Sequence, residues 1–272
     1  ETLLKKLDAK SIEIEHLLNQ SNNNYEAVLF QKIAYSFGLK VNAEIYQNIA
    51  ENIEFKIIQK ISQNQFQLES LLFGKGNLLE KETEINKKWK TEFDYLKIKF
   101  QISDEVFPVK FLRLMPPSFP TIRLSQLANL YHLQPNLFSK ILNAKNIQEL
   151  KSYFENVKTS DFWESHYTFE KSSEEKTEKF LSDDFVEILL INAVLPIIYT
   201  YYKNLKPEKT EQILEFYKNL KPEKNSIISQ WKKQGVKPNS ALETQAFLFH
   251  HKHFCSEKNC LNCSIGFQIL KS

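Results

Sequence analysis

Apolar side chains recur along this chain at intervals of three and four residues, a spacing that leaves room for little but helix. Ile85, Trp89, Phe93, Leu96 and Phe100 lie four, four, three and four apart, which lines them up on one face of a 3.6-residue turn. Leu3, Leu4, Leu7, Ile14, Leu17 and Leu18 repeat the pattern, as do Tyr25, Val28, Leu29, Ile33 and Phe37. Five glycines and nine prolines in 272 residues supply little material for tight hairpins. The expectation is therefore an all-α fold, a bundle of about a dozen helices in two packed parts, with a Cys-rich C-terminal turn.

Punctuation residues divide the chain further. Gly38 is placed to end the second helix in a left-handed conformation, and Asn42 to cap the third. Gly74-Lys75-Gly76 lacks the spacing of a phosphate-binding loop and reads as a helix stop. Four prolines fall between Val106 and Pro120, so that stretch should run extended. It is expected to join an N-terminal helical part, 1–105, to a C-terminal part, 121–272, that ends in a Cys/His cluster. Pro120 suits the first position of the next helix, where its missing N–H would be unpaired anyway. The polar run from Val157 to Glu178 carries scattered rings and reads as a loop pinned by them. The most apolar run, Phe185 to Tyr202, is interrupted by Glu187, Asn192 and Pro196 and falls short of the ~20 clean residues of a membrane span. It reads as a core helix that Pro196 kinks or breaks, and no membrane partner is expected. YKNLKPEK recurs at 202–209 and 217–224, a local helical hairpin in which Pro207 and Pro222 each open a helix.

Charge is nearly balanced. Thirty-six Lys and Arg against 33 Asp and Glu leave +3, which neither demands nor excludes a nucleic-acid partner. Only two residues of the chain are arginines, Arg113 and Arg123, and both lie in FLRLMPPSFPTIRLSQLA beside the only methionine. A guanidinium is a planar fork of donors that grips a carboxylate or phosphate with two parallel bonds, which lysine cannot reproduce. Arg123 would sit in the first turn of its helix, where a cation opposes the dipole. Either it pairs with an internal carboxylate, or it helps the free N–H groups hold an anion. Arg113, Arg123, Thr121 and Gln126 are the candidate residues for binding a nucleic-acid phosphate or a carboxylate of a protein partner.

The tail offers a second candidate. Three cysteines packed within nine positions, Cys255, Cys260 and Cys263, do not make a disulfide framework and point to a reducing compartment or a metal. With no signal-peptide pattern, a cytoplasmic location is expected. If the preceding helix persists, His251 and Cys255 are four apart on one face, and Cys260-Leu-Asn-Cys263 forms a knuckle. Those four side chains would make a tetrahedral Cys3His site for structural zinc. An iron-sulfur cluster would ask for a fourth cysteine. The alternative is that the thiols are reduced packing groups. No triad, paired-carboxylate or HExxH pattern marks a catalytic residue or a small-molecule substrate.

FLRLMPPSFPTIRLSQLANL, LLINAVLPIIYTYY and ETQAFLFHHKHFCSEKNCLNCSIGFQIL together resemble the later part of a bacterial family called domain of unknown function 2851. The resemblance covers most of the chain from LLFGKGNLLE onward, and it ties down the three cysteines more firmly than the histidines before them. The family name implies no activity. The resemblance implies that fuller members carry a β-rich, nuclease-like part ahead of this region. The chain, which opens on Glu1, is on that view a segment of a longer protein whose catalytic residues lie elsewhere. Three functions are compatible with this: a non-catalytic module that binds an anion, an accessory domain of a metal-dependent nuclease-like enzyme, or a structural scaffold.

Overall fold

The computed structural model describes residues 2–271. The α-helices are α1 Thr2–Gln20, α2 Tyr25–Phe37, α3 Leu39–Glu51, α4 Phe55–Ile61, α5 Gln65–Lys75, α6 Lys87–Phe100 and α7 Pro120–Leu133. They continue with α8 Leu137–Asn143, α9 Ile147–Ser152, α10 Asp183–Leu189, α11 Leu195–Leu205, α12 Thr210–Lys218, α13 Ser226–Lys233, α14 Ala241–His250 and α15 Ser264–Lys271. Among the described residues there is no strand, only isolated bridges at Lys158–Phe180 and His166–Ser172. The all-α expectation holds.

Two compact units emerge. One comprises Glu1–Asn19 with Leu195–Ser272, the other Gln20–Val194. The proline-rich stretch therefore lies wholly inside the larger unit, and the expected division at 106–120 does not coincide with the units. Physically, its open backbone is bonded to the helices beside it. Phe107 N–H donates to Lys75 O at 2.7 Å and Val109 N–H to Gly76 O at 3.2 Å. Asn42, inside α3 rather than capping it, clasps Lys110 from both sides: its amide donates to Lys110 O and its Oδ1 accepts from Lys110 N–H, each at 2.8 Å. Prolines remove donors, but the residues between them still need partners.

Lys75 completes this attachment. Its side chain is fully buried, and its ammonium donates to Asn52 Oδ1, to Glu105 O and to Ser103 O at 3.2 Å. Burial pushes its pKa below the usual lysine range, and Glu105 opposes the shift. Gly38 works differently from the expectation. Its φ is −67°, and the left-handed residue is Leu39. A Cβ at Gly38 would sit 2.4 Å from Asn42 O, so glycine is needed there for close approach of the chain as α2 runs into α3.

Within the larger unit α7 is central, buried on nearly every side. Glu69 of α5 holds it through Ser125 Oγ, and also accepts from Ser160 Oγ at 3.0 Å and Trp89 Nε1 at 3.3 Å. Burial raises the Glu69 pKa, and these donors oppose the rise. The 157–178 run is anchored by its rings as expected: Trp163 is completely buried against Phe73, Phe162 and Phe169.

The apolar run Asp183–Leu205 is the one helix among the described residues long and apolar enough to cross a membrane, and most of it is buried within the protein. Pro196 does not break it. The turn before the proline widens into a π-helix, Leu190–Val194, a local adjustment that takes up a disturbance in the i→i+4 ladder. In the smaller unit Pro207 opens a 3-10 turn that leads into α12. Pro222 opens no helix. The next one starts instead at Ser226, capped by Asn225, whose Oδ1 accepts from Ile228 N–H at 2.9 Å.

Candidate functional sites: the arginine segment and the Cys/His tail

The two arginines meet different fates. Pro120 occupies the first position of α7 as expected, and Arg123 follows one turn in, its N–H donating to Phe119 O at 3.0 Å. Its guanidinium carbon lies 4.0 Å from the centre of the Phe185 ring, a stacking arrangement that suits a planar cation. Nη1 donates to Gln126 Oε1 at 3.1 Å, while Nε is buried without a partner. Burial lowers its pKa to about 10, and nearby Tyr46 opposes the fall. Among the described residues no carboxylate forms an ion pair with either arginine, so the internal-carboxylate alternative is not what holds Arg123.

Gln126 and Thr121 are engaged inside the fold. Gln126 Nε2 donates to Lys179 O at 2.9 Å, and Thr121 Oγ1 donates to Tyr167 O. Both are buried, whereas Arg113 is in solvent. Leu114 N–H bonds back to Phe111 O at 3.2 Å, closing a turn whose third residue, Arg113, has φ 63°. Arg113 is exposed, and its neighbours Leu112 and Met115 are 77% and 74% exposed. The base of this turn is fixed. Phe111 and Phe119 pack edge to face, the Asn42 clasp holds Lys110, and Tyr46 donates to Pro120 O at 3.2 Å.

In the tail, α14 widens into a π-helix over His251–Cys255, with Ser256 N–H reaching back five residues to His251 O at 2.8 Å. His251 meets Ser256, with Nδ1 3.2 Å from Ser256 Oγ. It is His250 that meets the cysteines, with Nε2 3.3 Å from Cys263 Sγ. Cys263 is buried, while Cys255 and Cys260 are exposed. The π-turn that ends at Cys255 packs against the 3-10 turn Cys260–Asn262, which brings the two segments that carry the cysteines together. Among the described residues no three His, Cys, Asp or Glu side chains are already arranged as a metal shell.

Sequence reading missed a cationic recess of about 530 Å³ lined by Lys6, Lys10, Lys252, His251, His253 and Glu13, among others. Three lysines and two histidines against one carboxylate favour an anion there. Lys6 has its pKa lowered to about 8, chiefly by burial. Lys6 and Lys10 share a helix face by their spacing of four, but nothing local ties them to residues some 240 positions later.

These features define a class: an all-helical module with cationic surface features and no assembled catalytic constellation among the described residues. Residues 1–226 match the family described as "Protein of unknown function (DUF2851)", and the chain belongs to that family. The match ends before the Cys/His tail, so the tail lies outside the segment that establishes membership. No curated protein and no solved structure matches the chain.

Proposed function

We propose that this chain is a non-catalytic helical module that docks an acidic protein segment on the Phe111–Met115 turn. One observation carries the reading: Arg113 is exposed and forms no ion pair among the described residues, on a turn whose flanking Leu112 and Met115 are also in solvent. Arginine with aliphatic neighbours on a rigid tip is the composition of a protein–protein anchor. A single-stranded nucleic acid would instead call for aromatic side chains on which bases stack. The fixed base of the turn keeps the ordering cost of binding low.

The test compares two probes, a Glu/Leu-rich peptide and a single-stranded oligonucleotide, against the wild type and the Leu112→Ala/Arg113→Ala double variant. Both substituted side chains are exposed, so the helical circular dichroism should not change. The peptide is expected to bind the wild type in a salt-sensitive manner and the variant about tenfold or more weakly. Equal peptide affinity in the variant contradicts the proposal, as does oligonucleotide binding that is lost with the two side chains.

A further inference from the structure

The tail carries an inference independent of the docking turn. A helix that widens from i→i+4 to i→i+5 bonding changes which residues share a face. In a regular α-helix Cys255 would align with His251; a π-turn brings the residue five positions earlier, His250, closer to that face. The contacts follow the wider register. His250 reaches Cys263, while His251 bonds Ser256 and lines the cationic recess with Lys6 and Lys10.

The His250–Cys263 pair has the dimensions of one edge of a zinc shell. With Zn–S near 2.3 Å and Zn–N near 2.0 Å, tetrahedral angles put a nitrogen and a sulfur about 3.5 Å apart. The observed separation is 3.3 Å. His250 is packed against Phe254 and Trp231, which holds its ring beside Cys263. The chain after the knuckle then folds back over the sulfur. Cys263 N–H closes a 3-10 turn onto Cys260 O at 3.2 Å, and Gly266 N–H points at Cys263 Sγ at 3.4 Å. Gly266 is required for this, because a Cβ there would lie 2.4 Å from Cys260 O.

We propose that Cys255, Cys260, Cys263 and His250 form a tetrahedral structural zinc site that fastens the end of the chain to α14. His250 and Cys263 are already together, and closure asks the exposed Cys255 and Cys260 side chains to turn onto them. Each thiol releases its proton to solvent, so three thiolates and a neutral imidazole hold Zn²⁺ with a net charge of −1. All four positions are then filled by protein, which leaves no site for substrate.

The full chain, purified without a histidine tag, is titrated with Co²⁺ as an optical probe and then with Zn²⁺. The expected result is about one Co²⁺ per chain, with the absorption of a tetrahedral thiolate site, displaced by Zn²⁺. His250→Ala should weaken binding by about tenfold or more, and His251→Ala should leave it unchanged. If His250→Ala perturbs the packing on Trp231, Cys260→Ser supplies the test from an exposed position and should also lose affinity. A wild type without the tetrahedral spectrum overturns the site, as does undiminished binding in Cys260→Ser. A loss confined to His251→Ala restores the α-helical register and overturns the assignment of His250.

Discussion

Lys75 and Arg113 stand at opposite ends of the same extended segment, and they use their charge in opposite ways. At the base, Lys75 is fully buried and directs its donors to backbone and amide oxygens of Asn52, Ser103 and Glu105. At the tip, Arg113 is exposed and forms no ion pair among the described residues. Arg123 lies between these extremes, stacked on Phe185 with one bond to Gln126 and a buried Nε left over. A cation that satisfies its donors inside the fold holds the fold together. One that does not is available to something else. The proline-rich stretch is therefore a strap fixed at its base that presents a tip, which is how 106–120 comes to lie inside one unit.

The largest expected effect comes from breaking the base. Lys75→Met leaves the Ser103 and Glu105 carbonyls and Asn52 without their donor, and should cost about 3 kcal/mol in urea unfolding. A loss below about 1 kcal/mol would show that those oxygens are as well served by water.

Lys6 sharpens the comparison, since it is half-buried and forms no ion pair among the described residues. Its folded pKa is lowered from 10.5 to about 8, so the folded state prefers the neutral amine. Its contribution to stability is complete above pH 10.5 and is lost as pH falls through 8. The stability of the wild type minus that of Lys6→Met should therefore rise between pH 8 and 10.5, by an amount on the order of 2 kcal/mol. A flat difference would place the amine in water. Arg123→Met should have the smallest effect. Stacking and one bond are lost, but a poorly paired cation leaves the first turn of α7, and the net change should stay within about 1 kcal/mol. A loss of 3 kcal/mol or more would reveal Arg123 as a structural anchor like Lys75.

How much of this could be read from the sequence depended on how local the cause was. The spacing of Trp89 to Phe100 and the placement of Pro120 express helix geometry over a few residues, and both appear as expected; Ile85 does not, since it lies in the turn before α6 and is 44% exposed. Asn42 looked like a cap because caps are local, yet its partner Lys110 is 68 residues away. Gly38 looked like a residue for positive φ, yet it is required by the proximity of the next turn of backbone. The burial of Lys75 left no mark on a sequence with so many lysines. In the tail the cysteines were visible, but the π-turn before them and the contact of His250 with Cys263 were not, because the residues that widen a helix have no periodic signature. The recess around Lys6 joins residues from the two ends of the chain, beyond the reach of any spacing rule.

The chain's two arginines allow a direct measurement. In a ¹⁵N spectrum of the guanidinium Nε–Hε groups there should be two resolved signals, assignable with Arg113→Lys. On addition of the Glu/Leu-rich peptide, the Arg113 signal should shift and the shift should shrink with salt, while the buried Arg123 signal holds its position. An Arg113 signal that stays in place while Arg123 moves, or that responds only to the oligonucleotide, would contradict the assignment of the tip as the docking site for an acidic protein partner.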